Sequence, residues 1–232
     1  VTDRAAGTQA AADDALRRLV AVMDRLRSPG GCPWDAEQTH ASLVPYVLEE
    51  AYEVADAVER GDREHLREEL GDLLLQVVFH ARIAQEDPDA PFGIDDVADG
   101  LVEKLVRRHP HVFGDAEVAD ADGVNRQWDR IKREEKQRES VLDGVPLAMG
   151  ALSRAQKVAS RAARAGLEPR EPEPGGGVGD RLLALVLEAQ RAGLDAEGEL
   201  RRATVAWEDR LRAGERTGER VGERTGEHAA GS

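Results

Sequence analysis

Two pairs of carboxylates hold most of the chemistry this chain can offer. Glu50 and Glu53 stand three apart in Leu48-Glu-Glu-Ala-Tyr-Glu53, and Glu69 and Asp72 stand three apart in Glu69-Leu-Gly-Asp72. On a helix carrying the first pair, Val47, Ala51, Val54, Ala55 and Val58 form an apolar stripe. Glu50 and Glu53 then lie about 80° and about 140° to one side of its centre. On the next helix the stripe is Leu66, Leu70, Leu73, Leu74 and Val77. Glu69 and Asp72 flank it at about the same angles and with the same hand. Gly61-Asp62 between the helices predicts a tight antiparallel turn. Facing stripes would bring all four carboxylates out on one side. Four like charges in one region repel unless cations hold them, and oxygen-only ligands suit a hard cation, Mg²⁺ first and Mn²⁺ second.

Geometry alone leaves two readings open, a metal site and a solvated acidic face. Gly71 lies inside the second helix, where glycine costs about 1 kcal/mol against alanine, and it suggests close approach of another chain or a ligand. A di-iron bundle is a rival, but such sites pair Glu with His at i+3, and neither His65 nor His80 falls there. Lys104 and Arg108, four apart, share a helix face, either a solvated cationic stripe or a grip for an anion. Trp128 fits either a core or a base-stacking position.

The elements that must position these groups read as almost all helix. Ala, Leu, Glu and Arg dominate, and alternating β-branched runs are absent. Expected helices cover residues 11–26, 45–60, with Pro45 in the first turn, and 63–85. A fourth, capped by Asp95, runs to Arg108 and is stopped by Pro110; two more cover 122–138 and 146–165. Ser28 to Asp35, with two prolines and two glycines, is a loop. Glu168 to Gly177 reads as a Pro/Gly linker, followed by short helices over 179–192 and 196–212. The Gly-Glu-Arg-rich tail from Gly214 is expected to be disordered.

Composition sets the outer bounds. The 232 residues are 41% hydrophobic and 34% charged, enough for a modest core, and no apolar run approaches the roughly 18–20 residues of a membrane span. Val1 to Ala12 lacks signal-peptide features, and one cysteine, Cys32, excludes a disulfide framework, so a cytoplasmic protein is expected. A net charge of −14 argues against general nucleic-acid binding. Phe 3, Trp 3 and Tyr 2 are too few for a single-strand stacking platform.

Five segments in order resemble the MazG family of nucleoside triphosphate pyrophosphohydrolases. They are Gly31-Cys-Pro-Trp-Asp-Ala-Glu-Gln-Thr-His40, Leu48 to Ala57, Glu68-Glu-Leu-Gly-Asp-Leu-Leu-Leu-Gln-Val-Val-Phe79, Lys104-Leu-Val-Arg-Arg-His-Pro-His-Val-Phe113 and Trp128-Asp-Arg-Ile-Lys132. The resemblance implies Mg²⁺-dependent cleavage of an NTP to NMP and pyrophosphate. It makes Glu50, Glu53, Glu69 and Asp72 the metal ligands, and Glu49 the group that orients or deprotonates the attacking water. It places Lys104 and Arg108 on the triphosphate, and Trp128 and Lys132 around the nucleotide. It also makes Pro29 to His40 a substrate-side loop, either a lid or a rigid connector. His40, His109 and His111 are left as capping or packing residues, and Cys32 has no base placed to make it a nucleophile.

Gly71-Asp-Leu-Leu-Leu-Gln-Val-Val78 aligns with Gly179-Asp-Arg-Leu-Leu-Ala-Leu-Val186, which resembles a second family module that has decayed. Gly177 stands where Glu69 would be and Ala206 where Lys104 would be, leaving Asp180 and Arg210 as relics. The expected organisation is a flexible N-terminus (1–15), a four-helix-bundle-like all-α catalytic module (16–167), a linker (168–178), a degenerate second repeat (179–213) and the tail (214–232). Two short helices cannot cover the stripes, so a homodimer is expected. Competing functions are a non-catalytic, metal-stabilised dimerisation or regulatory module, and a pyrophosphohydrolase restricted to dUTP, dCTP or phosphoribosyl-ATP.

Overall fold

The computed structural model describes residues 14–116, 120, 123–124, 127–128, 131, 140–167 and 175–217. The described residues are all-α, and they fall into two compact units, residues 1–131 and 132–232. Residues 1–13, Lys132, most of the expected 122–138 helix, residues 168–174 of the linker and the tail beyond Thr217 lie outside the described residues.

In the first unit, α1 is Ala15–Arg27, α2 Pro33–Glu37, α3 His40–Arg60, α4 Arg63–Ala84, α5 Ile94–Arg108 and α6 Pro110–Phe113. The centre is α4, against which α1, α3 and α5 each pack. The turn between α3 and α4 forms as its residues dictate. Gly61 adopts φ 69°, which glycine takes without steric cost, and the Asp62 carboxylate accepts the N–H groups of Glu64 and His65 at 3.1 Å.

Pro45 does not open α3. The helix begins five residues earlier, at His40, because Thr39 and Ser42 form a reciprocal capping box with bonds of 2.9 and 3.1 Å. Pro45 therefore sits one turn inside, and the Ala41 carbonyl it leaves unserved is on an exposed residue. Asp95 is likewise not the cap of α5. Gly93 holds that position, its N–H donates to Asp96 at 2.7 Å, and Asp95 pairs with Arg17 instead.

The segment between α1 and α3 is a braced connector rather than a plain loop. Pro33 starts the short α2, and Arg27, almost wholly buried, donates to the carbonyls of Asp35 and Gln38. The same guanidinium grips Glu86 beyond α4 through two 2.9 Å bonds and lies over the Phe79 ring. A side chain at Gly31 would collide with the backbone carbonyls of Arg25 and Leu26, so only glycine fits there. Trp34 of α2 meets Tyr46 and Phe79 edge-on.

The core of this unit is Met23, Leu43, Val78 and Phe79, with Leu19, Val20, Leu74, Leu75, Ile83 and Ile94 packed around it. It occupies the end of the α3–α4 hairpin away from the turn. Along the rest of the hairpin the expected stripe-to-stripe packing is incomplete. Val58, Leu70 and Val77 are 59%, 50% and 42% exposed, whereas Ala57, Glu69 and Gln76 are buried. The inward lines are Leu43–Glu50–Ala57 on α3 and Glu69–Gln76–Ile83 on α4, each spaced by seven. Both helices are thus turned by about 80° from the expected orientation, toward their acidic flanks. Polar groups occupy part of the seam, and Val58, Leu70 and Val77 of the apolar stripes are left outside, while Leu66, Leu73 and Leu74 stay half-buried.

The second unit contains α7 (Ala151–Arg164), α8 (Val178–Arg191) and α9 (Ala196–Thr217), with α7 packed on both others. Val145, Ala159, Ala162, Val186 and Leu187 are its buried apolar residues. Composition groups the helix ending near Ala165 with the preceding module, whereas its packing is with α8 and α9. The Ser153 hydroxyl and N–H meet Glu197, and Gln156 bonds both Leu194 and Ala196, which fixes α7 on the α8–α9 junction. The α9 helix runs past the expected end at residue 212, so the tail is helical as far as Thr217. Arg212 bonds to Glu208 and Asp209 support that last stretch.

Candidate metal and nucleotide site

The α3–α4 seam brings carboxylates from both helices together. Oxygens of Glu50, Glu69 and Asp72 lie within 4.8 Å of one another. Glu53, exposed, stands close enough to add its charge to both Glu50 and Glu69. The four residues named from sequence therefore converge, but through the helix interface itself rather than on a shared flank of it. Glu49 does not join them; it is exposed on the neighbouring side of α3.

The electrostatics follow from this crowding. Burial, then the charges of Asp72, Glu53 and Glu69, push the Glu50 carboxyl above its ordinary range. Burial and then Glu53 push Glu69 in the same direction, with His65 opposing. A seam that raises the proton affinity of its carboxylates will also welcome a cation. The donor set is all oxygen from the converging acids, the chemistry of a hard divalent ion. Two oxygens on one Mg²⁺ can be no farther apart than about 4.2 Å, twice the 2.1 Å bond. The observed spread is within reach of that by small side-chain rotations. The residues fit the ion.

His65 was not expected here. Its Nδ1 lies 3.0 Å from Glu69 Oε1, one helical turn away, and it groups with Glu68 and Glu69 as a second set within 4.8 Å. The signal was available as an i, i+4 His–Glu pair, but a search for the i+3 spacing of di-iron sites passes over it. Both acidic sets found among the described residues lie in the first unit. In the second unit, Asp180 accepts the Gly177 N–H at 3.0 Å, so this leftover of the repeat now caps α8.

The cationic residues lie on α5, which packs on α4. Lys104 is exposed, and Arg108, at the C-terminal end, is half-buried. Just beyond, His109 donates from Nδ1 to the Leu105 carbonyl at 2.6 Å and meets the half-buried Trp128 edge-on, centroids 5.1 Å apart. His111 donates to Gln127 at 3.2 Å. Trp128 is thereby held at the same end of α5 as Arg108. Lys132 lies outside the described residues. His40 stacks on His80 with an Nδ1–Nδ1 distance of 2.8 Å, tying the start of α3 to α4. Among the described residues, and apart from its own helix, no atom comes within 4 Å of a Cβ built at Gly71, so no close neighbour is found there among them.

Residues 38–113, which span both carboxylate pairs and the α5 cations, match the family model described as the MazG nucleotide pyrophosphohydrolase domain. An uncharacterised 26.1 kDa protein of Streptomyces cacaoi is 56% identical over 201 residues, covering 86% of this chain and 82% of that protein. A protein of Thermotoga maritima named nucleoside triphosphate pyrophosphohydrolase/pyrophosphatase MazG is 38% identical, covering 86% of this chain and 85% of its own length. A nucleoside triphosphate pyrophosphohydrolase of Mycobacterium tuberculosis is 48% identical over 85% of this chain, which spans only 57% of that longer relative.

Proposed function

The chain belongs to the MazG family of nucleotide pyrophosphohydrolases, and from that membership we propose that it hydrolyses nucleoside triphosphates to the monophosphate and pyrophosphate at the α3–α4 seam. The observation that carries the proposal is the placement of Glu50 and Glu69 where a hairpin of this kind would otherwise bury apolar side chains. Glu50, Glu53, Glu69 and Asp72 would hold Mg²⁺ or Mn²⁺, which neutralises phosphate oxygens and lowers the pKa of water. Lys104 and Arg108 grip the polyphosphate, and Trp128 and Lys132 flank the nucleotide. Glu49 orients the attacking water and takes its proton. Water oxygen bonds to the α-phosphorus, the bond from that phosphorus to the α–β bridging oxygen breaks, and pyrophosphate leaves.

The working form in this reading is a homodimer. Val58, Leu70 and Val77 leave an apolar stripe open along the hairpin, and a second copy would cover it. No helix among the described residues is long and apolar enough to cross a membrane. A free nucleotide substrate and a net charge of −14 fit a cytoplasmic enzyme that removes noncanonical or surplus nucleotides rather than one that binds nucleic acid.

The test is incubation with each ribo- and deoxynucleoside triphosphate plus Mg²⁺, resolving NMP, NDP, phosphate and pyrophosphate, beside a Glu53→Ala control. NMP and pyrophosphate from the wild type alone are expected. One strongly favoured substrate would narrow the enzyme to the restricted class, such as dUTP, dCTP or phosphoribosyl-ATP. No turnover from folded protein that binds Mg²⁺ would leave a metal-stabilised dimerisation module. NDP and phosphate would place the attack on another phosphorus.

A further inference from the structure

We propose that His65 is a positioning residue that fixes the rotamer of Glu69 and so sets the metal affinity of the seam; the proposal rests on the reading of Glu69 as a metal ligand. Three features of α4 support it. First, His65 Nδ1 lies 3.0 Å from Glu69 Oε1, close enough for the imidazole to pair with the carboxylate. Second, the backbone that carries the ring is anchored. His65 is the third residue of α4, and its backbone N–H is held by the Asp62 carboxylate at 3.1 Å, so the helix cap and the ring act through one fixed residue. Third, the Glu69 side chain is almost wholly buried, while that of His65 is about one-third exposed. Of the two, the ring has the solvent contact and the carboxylate is committed to the interior.

With Oε1 held by the ring, Glu69 has Oε2 left to offer toward Glu50 and Asp72, whose oxygens are within 4.8 Å. A carboxylate pinned at one oxygen approaches an ion through one oxygen in one direction. Released, it can rotate and lose the shared geometry. Groups that hold ligating carboxylates from outside act this way in metal sites generally, and loss of such a partner costs about 10–100-fold in affinity. The competing role is direct ligation by His65 with Glu68 and Glu69. The ring nitrogen nearest Glu69 already lies against that carboxylate, and the Glu50–Glu69–Asp72 set does not include His65, which favours positioning.

The experiment titrates Mn²⁺ into the full chain by calorimetry, for wild type, His65→Ala and His65→Asn, with folding checked by circular dichroism and thermal melts. Asn places an amide N–H close to where Nδ1–H stands. His65→Ala is expected to weaken Mn²⁺ binding about 10–100-fold. His65→Asn is expected to stay within about threefold of wild type, and electron spin-echo spectra of the wild-type Mn²⁺ complex to show no directly bound nitrogen. Unchanged affinity in folded His65→Ala would overturn the inference while leaving the carboxylate site standing. So would a folded His65→Asn no better than His65→Ala, or strong nitrogen coupling to the metal. Failure of the wild type to bind Mn²⁺ would instead remove the metal-site reading on which it stands.

Discussion

Ala57 controls how closely α3 approaches α4 beside the carboxylates, and substituting it separates site geometry from stability. It is 0% exposed, lies one turn beyond Glu53 on the same helix and occupies the seam line seven residues after Glu50. Axial separations of packed helices run from about 8 to 10 Å according to the side chains at the contact. Ala57→Leu adds three carbons where there is no free space, so the helices must part by about 1 Å at this turn. Cluster oxygens now lie within 4.8 Å, and one Mg²⁺ needs pairs within about 4.2 Å. Another ångström exceeds what side-chain rotation restores for Mg²⁺. The same rotation that closes 4.8 Å to about 4.2 Å would bring the widened pairs to about 5.2 Å, twice the 2.6 Å upper limit of a Ca²⁺ bond, so Ca²⁺ is still accommodated. Mg²⁺-dependent pyrophosphate release from Ala57→Leu should therefore fall about 10²-fold, the usual cost of misplacement by about 1 Å. Ca²⁺ binding by calorimetry should persist. Overpacking should also cost about 1–3 kcal/mol of stability. Ala57→Gly is the control, because it loses about 1 kcal/mol of helix propensity without widening the seam and should keep its turnover. If folded Ala57→Leu retains Mg²⁺-dependent turnover within threefold of wild type, the seam is not what sets the site.

Four further outcomes follow from other parts of the first unit. Leu70→Glu places a charge on the exposed stripe and should convert a dimer to a monomer in size-exclusion chromatography with light scattering, leaving helical content unchanged. Lys104→Ala should raise KM for a triphosphate about tenfold, at little cost to thermal stability since the residue is exposed; an unchanged KM would remove Lys104 from the polyphosphate. Arg27→Ala strips partners from Asp35, Gln38 and Glu86 and should lower stability by roughly 2–4 kcal/mol in urea titration. The Arg27 hydrogen bond holds Glu86 below the usual carboxylate range, so its stabilisation is present above that range and is lost as pH falls through it. Glu86→Gln should therefore be less stable than wild type at pH 7 and show a shallower decline in acid.

What the sequence made legible was mostly local. Gly61-Asp62, the order of the helices and the convergence of two carboxylate pairs all follow from short-range rules about caps, propensities and periodicity. The rotation of α3 and α4 was not legible, because a stripe such as Leu66–Leu70–Val77 reads the same whether it faces its own hairpin or a surface outside it. Pro45 misdirected the start of α3 since a proline in a first turn is the commoner arrangement, although Thr39 and Ser42 already carried the cap. Asp95 suits a cap by its type, whereas Gly93 takes that position and Asp96, three residues on, accepts its N–H while Asp95 pairs with Arg17. The partnership of His65 with Glu69 needed a helix register and a reason to look for a hydrogen-bonding partner rather than for a ligand.

The rotation itself ties the site to the fold. An antiparallel hairpin gains most by burying its aliphatic side chains, yet this one buries Glu69 and Gln76, half-buries Glu50 and leaves Leu70 and Val77 exposed. Burial raises the proton affinity of both glutamates, so without a cation this half of the seam opposes its own packing. The opposition is tolerable because the other half is anchored by Leu43, Phe79, Val78 and Met23, and the turn is locked by Gly61 and Asp62. A divalent ion placed among the carboxylates completes a polar core that the chain alone leaves charged. A second copy laid over the stripes completes the apolar one. On this account metal binding and dimerisation stabilise opposite faces of the same two helices. Leu70→Glu and loss of the metal should each lower the melting temperature, and the two losses together should exceed either alone.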